Sequence, residues 1–135
     1  MNILERFLKY VSFDTQSDEN SNTFPSTLKQ HQLADYLVEE LKSLGVNNAF
    51  KDEYSYVYAS IPGKIQKSIG LIAHLDTALE ISGANIKPNV INTYDGNDLV
   101  LNNGITISNK EYPFLTQIKG HQIVTTDGTT LLGAD

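Results

Sequence analysis

The sequence predicts an α/β protein in which helices flank a mixed sheet, on three observations. A nearly unbroken apolar run, Ile69-Gly70-Leu71-Ile72-Ala73, has the pattern of a strand buried on both faces, as in parallel sheets. Two segments ahead of it carry apolar residues at helical spacing. Short alternating segments lie between and beyond them, bounded by Gly, Pro, Asn and Asp.

Taken in order, Ile3, Leu4, Phe7, Leu8 and Val11 recur at helical spacing with Glu5, Arg6 and Lys9 opposite, which predicts a short amphipathic packing helix. Residues 14–26 turn to Ser, Asn, Asp, Gln and Thr, a solvated loop in which Asp14-Thr15-Gln16-Ser17 is expected to hydrogen-bond its own backbone. A second helix is predicted from a Thr27/Gln30 capping box to a Gly45 cap, with Leu33, Leu37, Leu41 and Leu44 along one face and Ala34 and Val38 beside them. His31, near its start, reads as a surface residue. Residues 46–51 and 54–61 predict two strands joined around Asp52-Glu53, and the Tyr54, Tyr56, Tyr58 stripe reads as strand-face packing in preference to an aromatic binding ledge. Pro62-Gly63 and a basic loop with Lys64 and Lys67 lead into the apolar run.

Beyond Thr77 the pattern loosens. The apolar islands Val90-Ile91, Leu99-Val100-Leu101 and Ile105-Thr106-Ile107 predict a long excursion over residues 78–120 with small hairpins, pinned by Pro113-Phe114-Leu115. A strand at residues 121–126, the tight turn Asp127-Gly128 and a returning strand at 129–132 predict a further hairpin, with His121 structural at its mouth. The chain then stops at Gly133-Ala134-Asp135, on a half-built turn, and is expected to be a truncated piece of a longer domain.

Composition narrows the function. The 135 residues suffice for one domain, and 16 acidic against 10 basic residues, a net charge of −6, argue against nucleic-acid or anionic-membrane partners. With no cysteine, any metal must be held by His, Asp and Glu. The N-terminus lacks the pattern of a signal peptide and no run approaches the roughly 18 apolar residues of a membrane span. A cytoplasmic location is expected.

Two polar groups stand out from the packing pattern. On a strand, His74 and Asp76 share a face at the carboxyl end, where open α/β sheets place ligands. The competing reading, a core histidine beside a turn-forming Asp-Thr, stays open on residues alone. Asp135, after the Gly133 turn, is the second group, and convergence of the two strand ends would suit a hard or borderline divalent cation.

A resemblance narrows these alternatives. His74-Leu75-Asp76-Thr77, together with the stretch from Thr125-Thr126-Asp127-Gly128 to Gly133-Ala134-Asp135, resembles the tripeptide aminopeptidase branch of the co-catalytic zinc (M20-type) metallopeptidases. Phe7 to Ser12, Asp14-Thr15-Gln16-Ser17 and Pro25-Ser26-Thr27 add to it, so the likeness runs from end to end. It implies the N-terminal part of a zinc-peptidase catalytic domain, phosphorylase/hydrolase-like in fold, with the lid or dimerisation domain and the rest of the catalytic domain lying beyond residue 135. It implies His74 as a zinc ligand, Asp135 as the carboxylate bridging two zinc ions, and Asp76 as the catalytic aspartate behind the histidine. Small peptides, tripeptides above all, are the implied substrates; separately, the incomplete sheet expected of a truncated domain would leave an edge through which a homo-oligomer could form. The glutamate general base and the remaining ligands fall after residue 135 in the family's order, so the fragment alone is expected to hold zinc weakly and to lack activity. Another dipeptidase, carboxypeptidase or deacylase of that superfamily, and a non-catalytic remnant, are the alternatives.

Overall fold

The computed structural model describes residues 1–133. Its elements are α1 (Ile3–Val11), α2 (Gln30–Ser43), β1 (Phe50–Lys51), β2 (Val57–Tyr58), β3 (Asn89–Ile91), β4 (Leu99–Val100), β5 (Thr106–Ile107), a 3-10 turn (Pro113–Thr116) and β6 (Ile123–Thr125). They fall into two compact units, Phe13–Glu80 and a second joining Met1–Ser12 to Ile81–Asp135. Helices and strands coexist as the α/β reading requires, but every strand pair is short and antiparallel.

In the unit Phe13–Glu80, α2 buries Leu33, Ala34 and Val38 together with Gln30 and Glu40, while of the expected leucine stripe Leu37 and Leu41 are half-buried and Leu44 is exposed, so the buried face is centred on Ala34 and Val38 and not on the leucines. It ends as the sequence requires. Gly45 takes φ +90°, its amide donates to Lys42 O, and the Val46 amide donates to Leu41 O, which together satisfy two carbonyls of the last turn. Its start is different. The helix begins at Gln30 with Lys29 at the N-cap and no side-chain cap, so the Thr27/Gln30 capping box does not form. The Thr27 hydroxyl instead donates to Gln16 O at 2.8 Å, and the Gln30, His31 and Gln32 amides are satisfied by carbonyls three residues back.

β1 and β2 pair around a turn closed by Asp52, whose Oδ1 accepts from the amides of Tyr54 (3.0 Å) and Tyr56 (2.9 Å). The tyrosine stripe lies on the outer face. Tyr58 stacks on its cross-strand partner Phe50 at 5.1 Å, which is strand-face packing, while both rings, like Tyr54 and Tyr56, remain exposed.

The larger correction concerns residues 69–77. They form no strand beyond a single parallel bridge at Thr77, and Ile69, Leu71 and Ile72 are at least 91% exposed. A buried strand needs hydrogen-bonded neighbours on its edges and cover on both faces. The sheet of this unit is the two-residue pair β1–β2, which reaches neither requirement for that segment.

The other unit holds α1 and the excursion. Asn2 and Glu5 make a reciprocal capping box, each side chain accepting from the other's amide at 2.8 Å. The β4–β5 hairpin forms as expected, Leu99 opposite Ile107, and Leu115 in the 3-10 turn is buried. Tyr94 is the most fully buried large side chain, with its hydroxyl donating to Asn97 O and Asn109 Oδ1. The hairpin expected at 121–132 does not form: β6 pairs with β3, Asn89 opposite Thr125 and Ile91 opposite Ile123. Its turn is present, Gly128 taking φ +88° against Asn103, but Leu131 then donates to Ser82 O rather than returning to β6. Turn chemistry is local, whereas the choice of strand partner is not.

Asp127 closes that turn and is buried. The Thr129 hydroxyl (2.7 Å) and amide (2.9 Å), with the Lys87 ammonium 3.6 Å away, hold its carboxyl below the usual carboxylate range against the opposing effect of burial. A carboxyl depressed in the folded state stabilises the fold above its unfolded value of about 4, and that stabilisation drains away as pH falls through the folded value. Asp127→Asn is therefore expected to lower the thermal midpoint at neutral pH and to flatten its decline below about pH 4. Thermal scans against pH check this, and parallel curves for variant and parent would contradict it.

Candidate functional site

His74 and Asp76 meet. Nδ1 of His74 lies 3.2 Å from Oδ1 of Asp76, with the two side chains 60% and 46% exposed. The i, i+2 relation therefore brings them together, although the backbone that carries them is not a strand. With Nδ1 donating to the carboxylate, the ring's lone pair sits on Nε2, the tautomer that a metal-facing imidazole needs. At this exposure water screens the pair, so its strength depends on what excludes solvent.

What holds the pair in place lies next to it. Thr77 is buried, its amide donates to Thr15 O (3.2 Å), and its carbonyl accepts from the Ser17 amide and hydroxyl (both 3.0 Å). Gln16 forms a parallel bridge to Thr77 and reaches Leu79 O through Nε2 at 2.9 Å. The turn at 14–17 does bond itself, Asp14 Oδ1 accepting from the Gln16 amide at 3.1 Å, and it is moored to the start of α2 by Asp14–Lys29 (3.0 Å) and by Thr27. Three stretches far apart in sequence, 14–17, 25–27 and 74–77, thus converge through backbone groups. Read separately, they gave a local turn, a helix cap and the end of a strand. Nothing in their composition names Thr77 as the anchor.

Asp135 lies outside the described residues, so its expected approach to His74 is not part of this geometry. Among the described residues no group of three or more His, Asp or Glu side chains is arranged to hold a metal ion. His31 proves to be other than a surface residue. Half-buried on α2, it is hydrogen-bonded at Nδ1 to the Ser55 hydroxyl and lies 3.3 Å from the Lys51 ammonium, which pairs with Asp35 at 2.5 Å. A lysine only donates, so Nδ1 is the acceptor and the imidazole ties α2 to the β1–β2 turn. His121 is exposed, and it serves the fold through its backbone, whose carbonyl accepts from the Tyr94 amide at 2.9 Å.

Comparison of sequences shows which known proteins share these residues. The chain is 53% identical to "Peptidase T" of Geobacillus sp. (strain WCH70), 51% to that of Clostridium acetobutylicum and 50% to that of Bacillus subtilis (strain 168), in each case over 98% of its own length. It spans about a third (34%) of the length of these curated relatives. No family model matches it. Over the third that it spans, the chain belongs to the peptidase T family.

Proposed function

We propose that this chain is the N-terminal part of the catalytic domain of a two-zinc aminopeptidase that releases the N-terminal residue from tripeptides in the cytoplasm. The observation that carries the reading is the 3.2 Å contact between His74 and Asp76 in a chain about half identical to proteins named peptidase T. The donor chemistry fits zinc: a neutral imidazole with its far nitrogen oriented by a carboxylate is a borderline ligand of the kind that cation takes. His74 would hold one metal, Asp135 would bridge to a second, and Asp76 would fix the imidazole. When bound, zinc supplies Lewis acidity toward the scissile carbonyl and toward water. The chain's own part is to orient His74 and to anchor that segment through Thr77 and the 14–17 turn. Self-association through an unpaired strand edge completes the reading.

On this reading the general base and the remaining zinc ligands lie in the two thirds of the relatives' length that the chain does not span, so the 135 residues alone are expected to be inactive. The purified chain with a tripeptide and excess zinc should show no release above a His74→Ala control. Joining residues 1–135 to the remaining two thirds of the Geobacillus relative should produce a chimera that hydrolyses tripeptides. Turnover by the isolated chain would refute the first statement, and a folded, zinc-loaded chimera without activity would refute the peptidase reading.

A further inference from the structure

We propose that the Thr77 hydroxyl is a positioning group: it donates to a carbonyl or carboxylate oxygen in the two thirds of the relatives' length that this chain does not span, and so fixes the backbone carrying His74 and Asp76. The positioning role rests on the peptidase reading; the bond itself does not. Thr77 is 7% exposed, and its Oγ1 is buried without a hydrogen-bond partner. Among the described residues the one other such side-chain atom is Thr130 Oγ1. Thr77 directly follows Asp76, and Thr130 lies in the stretch that runs to Asp135, so both orphaned hydroxyls fall in the segments proposed to serve zinc.

The local network does not use this hydroxyl. Thr77 is held through its main chain, its amide donating to Thr15 O and its carbonyl accepting from the Ser17 amide and hydroxyl. The neighbouring hydroxyls are all engaged within the chain: Ser17 with Thr77 O, Thr27 with Gln16 O at 2.8 Å, and Ser26 with the Asp18 amide and Gln30 Nε2. With its backbone pinned on both sides, Thr77 can turn its hydroxyl only about χ1. A buried hydroxyl that has left water without a replacement bond is destabilising, and a valine of nearly the same shape would fill the space without that penalty. An acceptor brought by the rest of the catalytic domain gives the group its function. The same approach would cover the 74–77 segment, where the His74 and Asp76 side chains are 60% and 46% exposed, and would exclude the water that weakens their contact.

Thr77→Val and Thr77→Ser, each made in the 135-residue chain and in the chimera with the remaining two thirds of the Geobacillus relative, test this through urea midpoints, zinc affinity and kcat. In the isolated chain Thr77→Val should raise the midpoint, because it removes an unpaired buried group. In the chimera the sign reverses: Thr77→Val should lower the midpoint and weaken zinc binding about tenfold, while Thr77→Ser, which keeps the donor, should retain most of the zinc affinity and kcat. Thr27→Val, which removes a hydroxyl bonded inside the chain, should lower both midpoints and serves as the control. A midpoint that Thr77→Val moves in the same direction in both backgrounds would overturn the bond. A chimera whose zinc affinity is unchanged by Thr77→Val, or equally reduced by Thr77→Ser, would overturn the positioning role. The midpoints are read without turnover, so a folded, zinc-loaded but inactive chimera that shows the reversal would refute the peptidase reading, and the positioning role with it, while supporting the bond.

Discussion

Alanine at Asp76 is expected to lower the zinc affinity of the Geobacillus chimera by about 10- to 100-fold, and alanine at His74 to lower it further still. Removing the imidazole deletes a metal-bonding atom. Removing the carboxylate leaves that atom in place but takes away the acceptor that engages Nδ1 at 3.2 Å and favours the tautomer with its lone pair on Nε2. Asp76→Asn, which keeps an acceptor oxygen without the charge, should fall between Asp76→Ala and the parent. Zinc affinity by chelator competition, with kcat and KM measured at saturating metal, separates the effects: a loss cured by more zinc belongs to orientation of the ligand. An Asp76→Ala chimera that binds zinc as tightly as its parent would remove the proposed role.

Tyr94→Ala should cost about 3–5 kcal/mol and Tyr94→Phe about 1 kcal/mol, measured from urea midpoints. The ring is the most fully buried large side chain, and its backbone is held on both sides, the amide donating to His121 O and the carbonyl accepting from Gly120 at 2.7 Å. Alanine leaves a cavity among groups already fixed by hydrogen bonds, so little collapse can fill it. Phenylalanine keeps the packing and leaves only the hydroxyl's two acceptors, Asn97 O and Asn109 Oδ1, without that donor. Against a total stability of about 5–15 kcal/mol, the alanine change is large. Equal losses in the two variants would move the stabilisation from the ring to the hydroxyl.

Much of the helical structure was legible. The spacing of Leu33, Ala34 and Val38 marked the buried face of α2, and Gly45 marked its end, because both depend on residues within one or two turns. The start of α2 was misread for a related reason: Thr27 has the chemistry of a cap, but its hydroxyl finds Gln16 eleven residues earlier. The β4–β5 hairpin was legible since its partners are near in sequence. The hairpin expected at 121–132 and the buried strand expected at 69–77 were not, since each required a partner that local pattern cannot name. At the candidate site, His74 and Asp76 were legible from their spacing, while Thr77 was not, because its role consists of backbone bonds to Thr15 and Ser17 that leave no mark on side-chain type.

The sequence by itself determined the two helices, the turn at Asp127-Gly128 and the meeting of His74 with Asp76. Each follows from residues a few positions apart, whose geometry the chain's own covalent spacing enforces. Only the tertiary structure decided that β6 pairs with β3, that the 14–17 turn moors Thr77, and that residues 69–73 stand uncovered. Those outcomes depend on which distant backbone groups find one another, and an apolar run records a preference for burial without recording what will bury it.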